Sequence, residues 1–465
     1  VAHTTTRSTS GFASRLRGRL DGWRDGLRTQ MWPMPTLGIV VALALGVGLP
    51  RLDGRIDQDL SSATTAYLFG GGPSAARTLL GTIASSLITV TALTFSLTVV
   101  TLQLASSQFS PRLLRTFTSD RFVHATLALL LGTFTYSLAV LRTVRDQTSS
   151  RAAFVPQVSV TLSFVLAVLS VLALVLFLAH LARQIRVETM LRNVQGDARD
   201  ATLRLLSERP SGVWTELQLT PPADALTLVA PGSGFLLQID ERSLLEAAVA
   251  ADAVLAVSRY PGNSLIAGTP LGAAWPRGAA IGVEAEAELR RCVDSALTLG
   301  FERTSTQDIA YGLRQLTDVT SKALSPGIND PTTAVHALSH SSALLCELAR
   351  YDLGPRPLHD DDDVLRVLLA SPGFTDLLEV AVTQPRRYGG TDPFVLARLF
   401  ALLGEVAWVA DHPTQREAIA EQLERLRRTV TAQDFDATEL ARLSTLAATV
   451  DEALAGRWTP QSRAI

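Results

Sequence analysis

Thr91, Thr94, Thr98, Thr101 and Gln108 share one helix face, with Ala105 filling the step before Gln108. They lie in SSLITVTALTFSLTVVTLQLASSQFSPRLLR (85–115), a stretch otherwise apolar enough for a bilayer. Thr82, Ser85, Thr89, Ser96 and Gln103 form a second series on nearly the opposite side, with Ala92 and Val99 in the gaps. Hydroxyl oxygens in lipid do one of two things. They replace part of an ion's hydration shell along a pore, or they bond to neighbouring helices and to the i−4 carbonyl of their own helix. An interhelical bond of this kind contributes only about 0.6–2 kcal/mol, so a single seam is explained by packing alone. Two opposed seams require a helix surrounded by protein, or by protein on one side and water on the other. The expectation is that the threonine series lines a pore. The series at Thr82, Ser85, Thr89, Ser96 and Gln103 is the alternative lining or the packing seam.

Ser110 followed by Pro111 has the form of an N-cap and first helical residue. Arg112 and Arg115 then sit at the cytoplasmic surface, either as positive-inside anchors or as a ring at a pore mouth.

Four stretches are long enough to position such a helix, at Met34–Leu49, Thr78–Gln103, Val123–Leu141 and Val158–Leu181. A span needs about 20 apolar residues, which the first, bounded by Pro35 and Pro50, barely supplies. The whole chain agrees. Its 465 residues are 47% hydrophobic and 18% charged, with a mean hydropathy of +0.22. A membrane domain joined to a sizeable soluble one accounts for both figures. A net charge of −2 gives no reason to expect nucleic acid. The N-terminal stretch has six arginines and no signal-peptide core. Arginine placement favours both termini in the cytoplasm, and the expected location is the bacterial plasma membrane. No Asp, Glu, Lys or Arg is expected well inside a span, which argues against an intramembrane enzyme.

The fourth span has no helix breaker until Gly196 and is expected to run on to about Leu206. The resulting division is a basic segment (1–33), a four-helix membrane domain with an extended fourth helix (34–207), a small β-rich module (208–280) and a helical domain (281–465). The fold class is a mainly α membrane protein with four transmembrane helices, a cytoplasmic small β-rich module and a C-terminal helical domain. Cys292 and Cys346 are expected as reduced thiols.

Outside the spans, the densest polar stretch is TSTQDIAYGLRQLTDVTSKALSPGINDPTTAVHALSH (304–340). Thr304 and Gln307 have capping-box spacing. Arg314, Asp318 and Lys322 step along one helix face, and Asn329 and Asp330 form the corner before the next helix. These five are the candidate contact site for a ligand or subunit, with free helix N-terminal amides available to an anion. His336 and His340 lack a partnering carboxylate, and HDDDD (359–363) reads as a solvated loop before a helix. No metal or cofactor is expected.

Five segments carry a family resemblance. TVTALTFSLTVVTLQLASSQFSPRLLRTF, LGTFTYSLAVLRTVR and VPQVSVTLSFVLAVLSVLALVLFLAHLA resemble membrane signatures, and YPGNSLIAGTPL (260–271) with QDIAYGLRQLTDVTSKALSPGINDPTTA (307–334) resemble soluble ones. In this order they are similar to a large family of bacterial predicted multi-pass membrane proteins, over roughly residues 75–410. The resemblance implies a cytoplasmic C-terminal domain and carries over no functional residue.

Two functions fit these residues. One is a homo-oligomeric membrane pore or transport protein for an ion or small solute, with a cytoplasmic assembly or gating domain. The other is a membrane-anchored sensor or scaffold whose cytoplasmic domain binds a ligand or protein. The expected partners are the lipid bilayer and further copies of the chain. The arginine bias makes a direct prediction: a topology reporter fused after Asp200 should report a cytoplasmic location.

Overall fold

A computed structural model describes residues 32–56, 68–108, 120–147, 153–184, 186–206, 220–278 and 280–458. The chain divides into two compact units, residues 1–186 and 187–465. In the first, four helices are long and apolar enough to cross a membrane. They are α1 (Pro33–Ile56), α2 (Pro73–Gln108), α3 (Arg121–Leu141) and α4 (Gln157–Gln184). Among the four, α3 is the hub, with 56% of its span buried against 17–33% for the others.

Small residues let the helices close on α3. A Cβ on Gly38 of α1 would lie 2.9 Å from the Ala128 carbonyl oxygen of α3. One on Gly46 would run into the Ala139 methyl, and Gly132 faces Gly38 from the other side. Lipid gives no hydrophobic reason for helices to associate, so close backbone approach of this kind supplies the dispersion contact instead. Hydroxyl pairs join α3 to α4 at Ser137–Ser163 (2.7 Å) and Thr133–Ser170 (3.1 Å).

Two boundaries differ from those expected of the sequence. Helix α1 does not stop at Pro50 but continues to Ile56 with the proline inside. A proline costs one backbone hydrogen bond, and membrane helices tolerate this when neighbouring helices re-satisfy the freed group. The extension carries Asp53 onto the helix, where it is buried. At the other boundary, the fourth helix does not run on unbroken. It ends at Gln184, and a separate helix, α5 (Val187–Leu205), opens the second unit.

The second unit mixes strands and helices in the order β1 (Leu226–Val229), β2 (Gly234–Ile239), α6 (Glu241–Ala250), β3 (Ala253–Val257), β4 (Ser264–Leu265), β5 (Pro270–Pro276), α7 (Val283–Ala296) and β6 (Leu297–Gly300). There follow α8 (Tyr311–Ala323), α9 (Pro331–Leu348), β7 (Arg356–His359), β8 (Leu365–Leu369), α10 (Phe374–Tyr388), α11 (Pro393–Val409), α12 (Pro413–Thr431) and α13 (Ala437–Leu454). The β part is not confined to 208–280. One sheet has the order β1-β5-β3-β8-β7 and the other β4-β2-β6. Strand β8 pairs parallel to β3 over Leu255–Val367 to Val257–Leu369. The run LRVLL is too short and too uniformly apolar to separate strand from helix by periodicity. The acidic stretch at 359–363 is accordingly the turn of the β7–β8 hairpin, not a loop before a helix. Asp360 accepts from the Val364 amide and pairs with the Arg366 guanidinium at 2.7 Å.

Helix α5 packs on α8 and α9. Gly312 is what allows the approach to α8, because a Cβ there would overlap the Ala198 methyl of α5. Gly312→Ala should therefore destabilise the second unit by about 1–3 kcal/mol, the usual cost of overpacking. Gly196→Ala on α5, where nothing lies within 4 Å of the added carbon, should be neutral or slightly stabilising. Thermal unfolding of the two purified variants separates them.

Candidate functional site

The two polar seams of α2 occupy different environments. Thr91, Thr94, Thr98 and Thr101 are buried within the four-helix unit. Each hydroxyl donates to the carbonyl four residues back: Thr91 to Leu87 (2.7 Å), Thr94 to Val90 (2.8 Å), Thr98 to Thr94 (2.8 Å) and Thr101 to Leu97 (2.9 Å). The sequence suggests a pore lining here, and in one subunit this face is buried. The physical reason is that α3 and α4 of the same chain already cover that face. Thr82, Ser85, Thr89, Ser96 and Gln103 are exposed on the outside of the subunit. Leu93, Phe95, Val99 and Val100 are exposed on the same helix.

The outward hydroxyls also donate inward along their own helix. Thr82 bonds to Thr78 (2.8 Å), Ser85 to Thr82 (3.1 Å) and Thr89 to Ser85 (3.0 Å). A hydroxyl has one donor and two acceptor lone pairs. With the donor engaged, these positions present acceptor oxygens to whatever faces them. Gln108 ends α2, but its side chain lies outside the described residues, as do Arg112 and Arg115.

The two ends of the bundle carry polar clusters. At the end where α3 begins, Asp120 caps that helix, accepting from the Phe122 amide at 2.8 Å. Its other oxygen meets His180 Nε2 (2.6 Å) and the Gln184 amide (2.5 Å), both from the last turns of α4. His124 is buried one turn along, its Nε2 without a partner among the described residues. At the opposite end, Asp53 Oδ2 accepts from Ser159 N (2.9 Å) and Oγ (2.8 Å). Sequence reasoning placed Asp53 in a loop, because Pro50 looked like the end of the helix.

In the second unit, the five candidate contact residues do not converge. Arg314, in the first turn of α8, acts electrostatically on Asp308. Asn329 and Asp330 lie past the far end of that helix, about 13 Å along its axis. The corner itself is already filled. Asp330 Oδ1 accepts from the Thr333 amide at 3.0 Å and Oδ2 takes the Thr333 hydroxyl. These hydrogen bonds hold its carboxyl below the usual range. The amide offered to an outside anion is thus occupied by a charge of the same sign. Asp318 and Lys322 are half-buried along α8. Thr304 and Gln307 form no capping box, because α8 begins only at Tyr311. Gln307 instead acts as a strand partner, accepting from the Ile239 amide (2.9 Å) and donating to its carbonyl (3.3 Å).

Sequence reasoning missed the junction between the two soluble signatures. Arg303 forks onto Asp308, a pair only 10% and 1% exposed. Gly262 lies directly on this pair in a left-handed conformation (φ +94°), and any Cβ there would collide with both side chains. The Pro-Gly in YPGNSL is visible as a turn signal, but nothing in the sequence points to Arg303 and Asp308 as what the turn rests on. Beside it Tyr260, Gln307, Glu241, Arg356 and Ser371 line a cleft of ≈ 430 Å³, solvent at its mouth included. No cluster of metal-ligating side chains occurs among the described residues. Neither cysteine forms a disulfide, and burial pushes the Cys346 thiol up to about 11.

Uncharacterized proteins of Mycobacterium bovis and Mycobacterium tuberculosis are each 36% identical over 445 residues, covering 95% of this chain and 84% of theirs. No solved structure matches. A family model described as predicted membrane protein (DUF2254) matches residues 28–405, and the chain belongs to that family.

Proposed function

We propose that the chain is a subunit of a homo-oligomeric membrane pore or transport protein for a small cation, with the second unit serving assembly or gating. The observation that carries this is the outward face of α2. Thr82, Ser85, Thr89, Ser96 and Gln103 are exposed on a subunit whose other outer positions include Leu37, Val41, Phe164 and Leu172. Polar groups facing hydrocarbon are costly, so copies of the chain, or water between copies, are the natural cover for this strip. The engaged donors of Thr82, Ser85 and Thr89 leave acceptor oxygens at these three positions, which suits a cation better than an anion. The arginine distribution supports both termini on the cytoplasmic side of the plasma membrane. The role is transport rather than catalysis. The alternative, a membrane-anchored sensor or scaffold, is favoured by the cleft at the junction of the two signatures. In that case the polar strip would be fully buried between copies.

Light scattering of the detergent-purified protein should give a multiple of the 49.8 kDa chain mass. A monomer would remove both readings. Cysteine substitutions then separate them, after Cys292 and Cys346 have been replaced. A small charged thiol reagent should modify cysteines at Thr82, Ser85, Thr89 and Ser96, where water gives access to the thiolate. Cysteines at Thr91, Thr94 and Thr98, buried inside the subunit, should stay unreactive. Ser96→Leu should lower reconstituted conductance, since an apolar constriction favours dewetting. If the outward positions are also unreactive, the scaffold reading stands.

A further inference from the structure

Three helices of the second unit end together. Thr317 of α8 donates to the Val380 carbonyl of α10 at 3.0 Å, and one turn on Ser321 donates to Gln384 at 3.4 Å. Toward α12, Glu379 pairs with Arg425 at 3.5 Å, and further along Arg386 donates to the Thr429 hydroxyl at 3.0 Å. Both sets of contacts climb in the same direction, so α8, α10 and α12 run parallel and their C-termini lie on one side. The last turns there carry Lys322, Arg386, Arg387 and Arg428. Thr429 donates its own proton to the Arg425 carbonyl at 3.0 Å, so it meets Arg386 as an acceptor. Gly390 closes the turn after α10 against this end, where a Cβ would come within 3.2 Å of the Thr429 methyl.

Helix dipoles explain part of this charge. Three C-termini present about 1.5 negative charges between them, fewer than the cations gathered there. Glu379 and Glu421 are both engaged by Arg425. No carboxylate pairs with Arg386, Arg387 or Arg428 among the described residues. Arg386 is half-buried, and its Nε is enclosed without a partner among them. Burial, and then the guanidinium groups of Arg425, Arg387 and Arg428, hold its pKa below the usual range. Like charges gathered in this way repel unless a group of the opposite sign sits among them.

Several guanidinium groups held together suit an anion with several oxygens, not a single carboxylate. A phosphoryl group brings up to two charges and three acceptor oxygens, and guanidinium forks match its geometry. We propose that the C-terminal ends of α10 and α12 bind a phosphoryl group, with Arg386, Arg387 and Arg428 as its ligands and Thr429 positioning Arg386. The group is carried either by a lipid headgroup or by a free phosphate compound. This site goes beyond the transport reading above and does not rest on it.

Thermal unfolding of the full-length protein in detergent tests this, with inorganic pyrophosphate as the soluble probe at constant ionic strength. A second arm adds phosphatidic acid to the micelles, against phosphatidylcholine at the same fraction. In at least one arm the wild-type midpoint should rise by about 5 °C near saturation. Arg387 and Arg428 are exposed, so Arg387→Gln and Arg428→Gln should fold as the wild type does. Each should raise the half-saturating concentration about tenfold, and the two together should abolish the rise. Arg427→Gln, which removes a cation already paired with Glu424 and Asp451, should keep it. The arm that responds names the source: pyrophosphate for a soluble phosphate compound, phosphatidic acid for a lipid headgroup, both for a site that takes the group from either. A rise that the double variant keeps is the general effect of an excluded salt and overturns the proposal. No rise in either arm overturns it as well. Neither readout depends on oligomer mass or on thiol reactivity along α2, so the transport reading stands or falls on its own test.

Discussion

The absence of water from the hydrocarbon core governs most of what is seen in the membrane unit. Every hydroxyl placed there needs a partner within the protein. The α2 threonines find it four residues back on their own helix, at 2.7–2.9 Å. Once so bonded they are compact, nearly apolar units that pack as closely as valine. The glycines at 38, 46 and 132 then bring α1 and α3 into backbone contact. With α3 as the most enclosed helix, the hydroxyl pairs on its α4 side are sealed from lipid. The strip on the outside of α2 is the place where this rule is left open within one subunit.

The second unit depends on a different constraint, the cost of burying a charge. Arg303 and Asp308 are enclosed together, where losing either partner would leave an uncompensated charge and cost about 3–5 kcal/mol. Their fork fixes the loop before α8, and Gly262 fixes the turn that lies on it. Gln307 ties the same loop to the end of β2 through both of its amide atoms. The start of α8 is therefore held to the β part by two contacts, the Gly262 turn resting on the fork and Gln307 on Ile239. Gly312, one turn further on, sets how close α5 comes.

The candidate residues were unequally legible, for identifiable reasons. Periodicity separated the two seams of α2, since three- and four-residue steps alone sort residues onto faces. It carried no information about which face the neighbouring helices cover. Asp53 was misplaced because proline is read as a helix end, a rule drawn from water, where no neighbouring helix re-satisfies the backbone. The contact group around Arg314 and Asp330 looked coherent only because its members are close in sequence. Asp330 is taken up by the cap of its own helix.

Composition and apolar run length by themselves determined that four segments can cross a membrane and that a large, more polar region follows, because burial in lipid demands length and hydrophobicity locally. Asp330 before Pro331 likewise announced the start of α9 from sequence alone, since capping is a short-range interaction. The tertiary structure decided everything that depends on partners distant in the chain. Strand β8 joins β3 across more than a hundred residues, a pairing that the short run LRVLL does not announce. The assignment of one threonine seam to the inside and the other to the outside rests on α3 and α4. The burial of Asp53 against Ser159 rests on a contact 106 residues away. Local rules act over a helical turn, and these positions are set by contacts that no local pattern encodes.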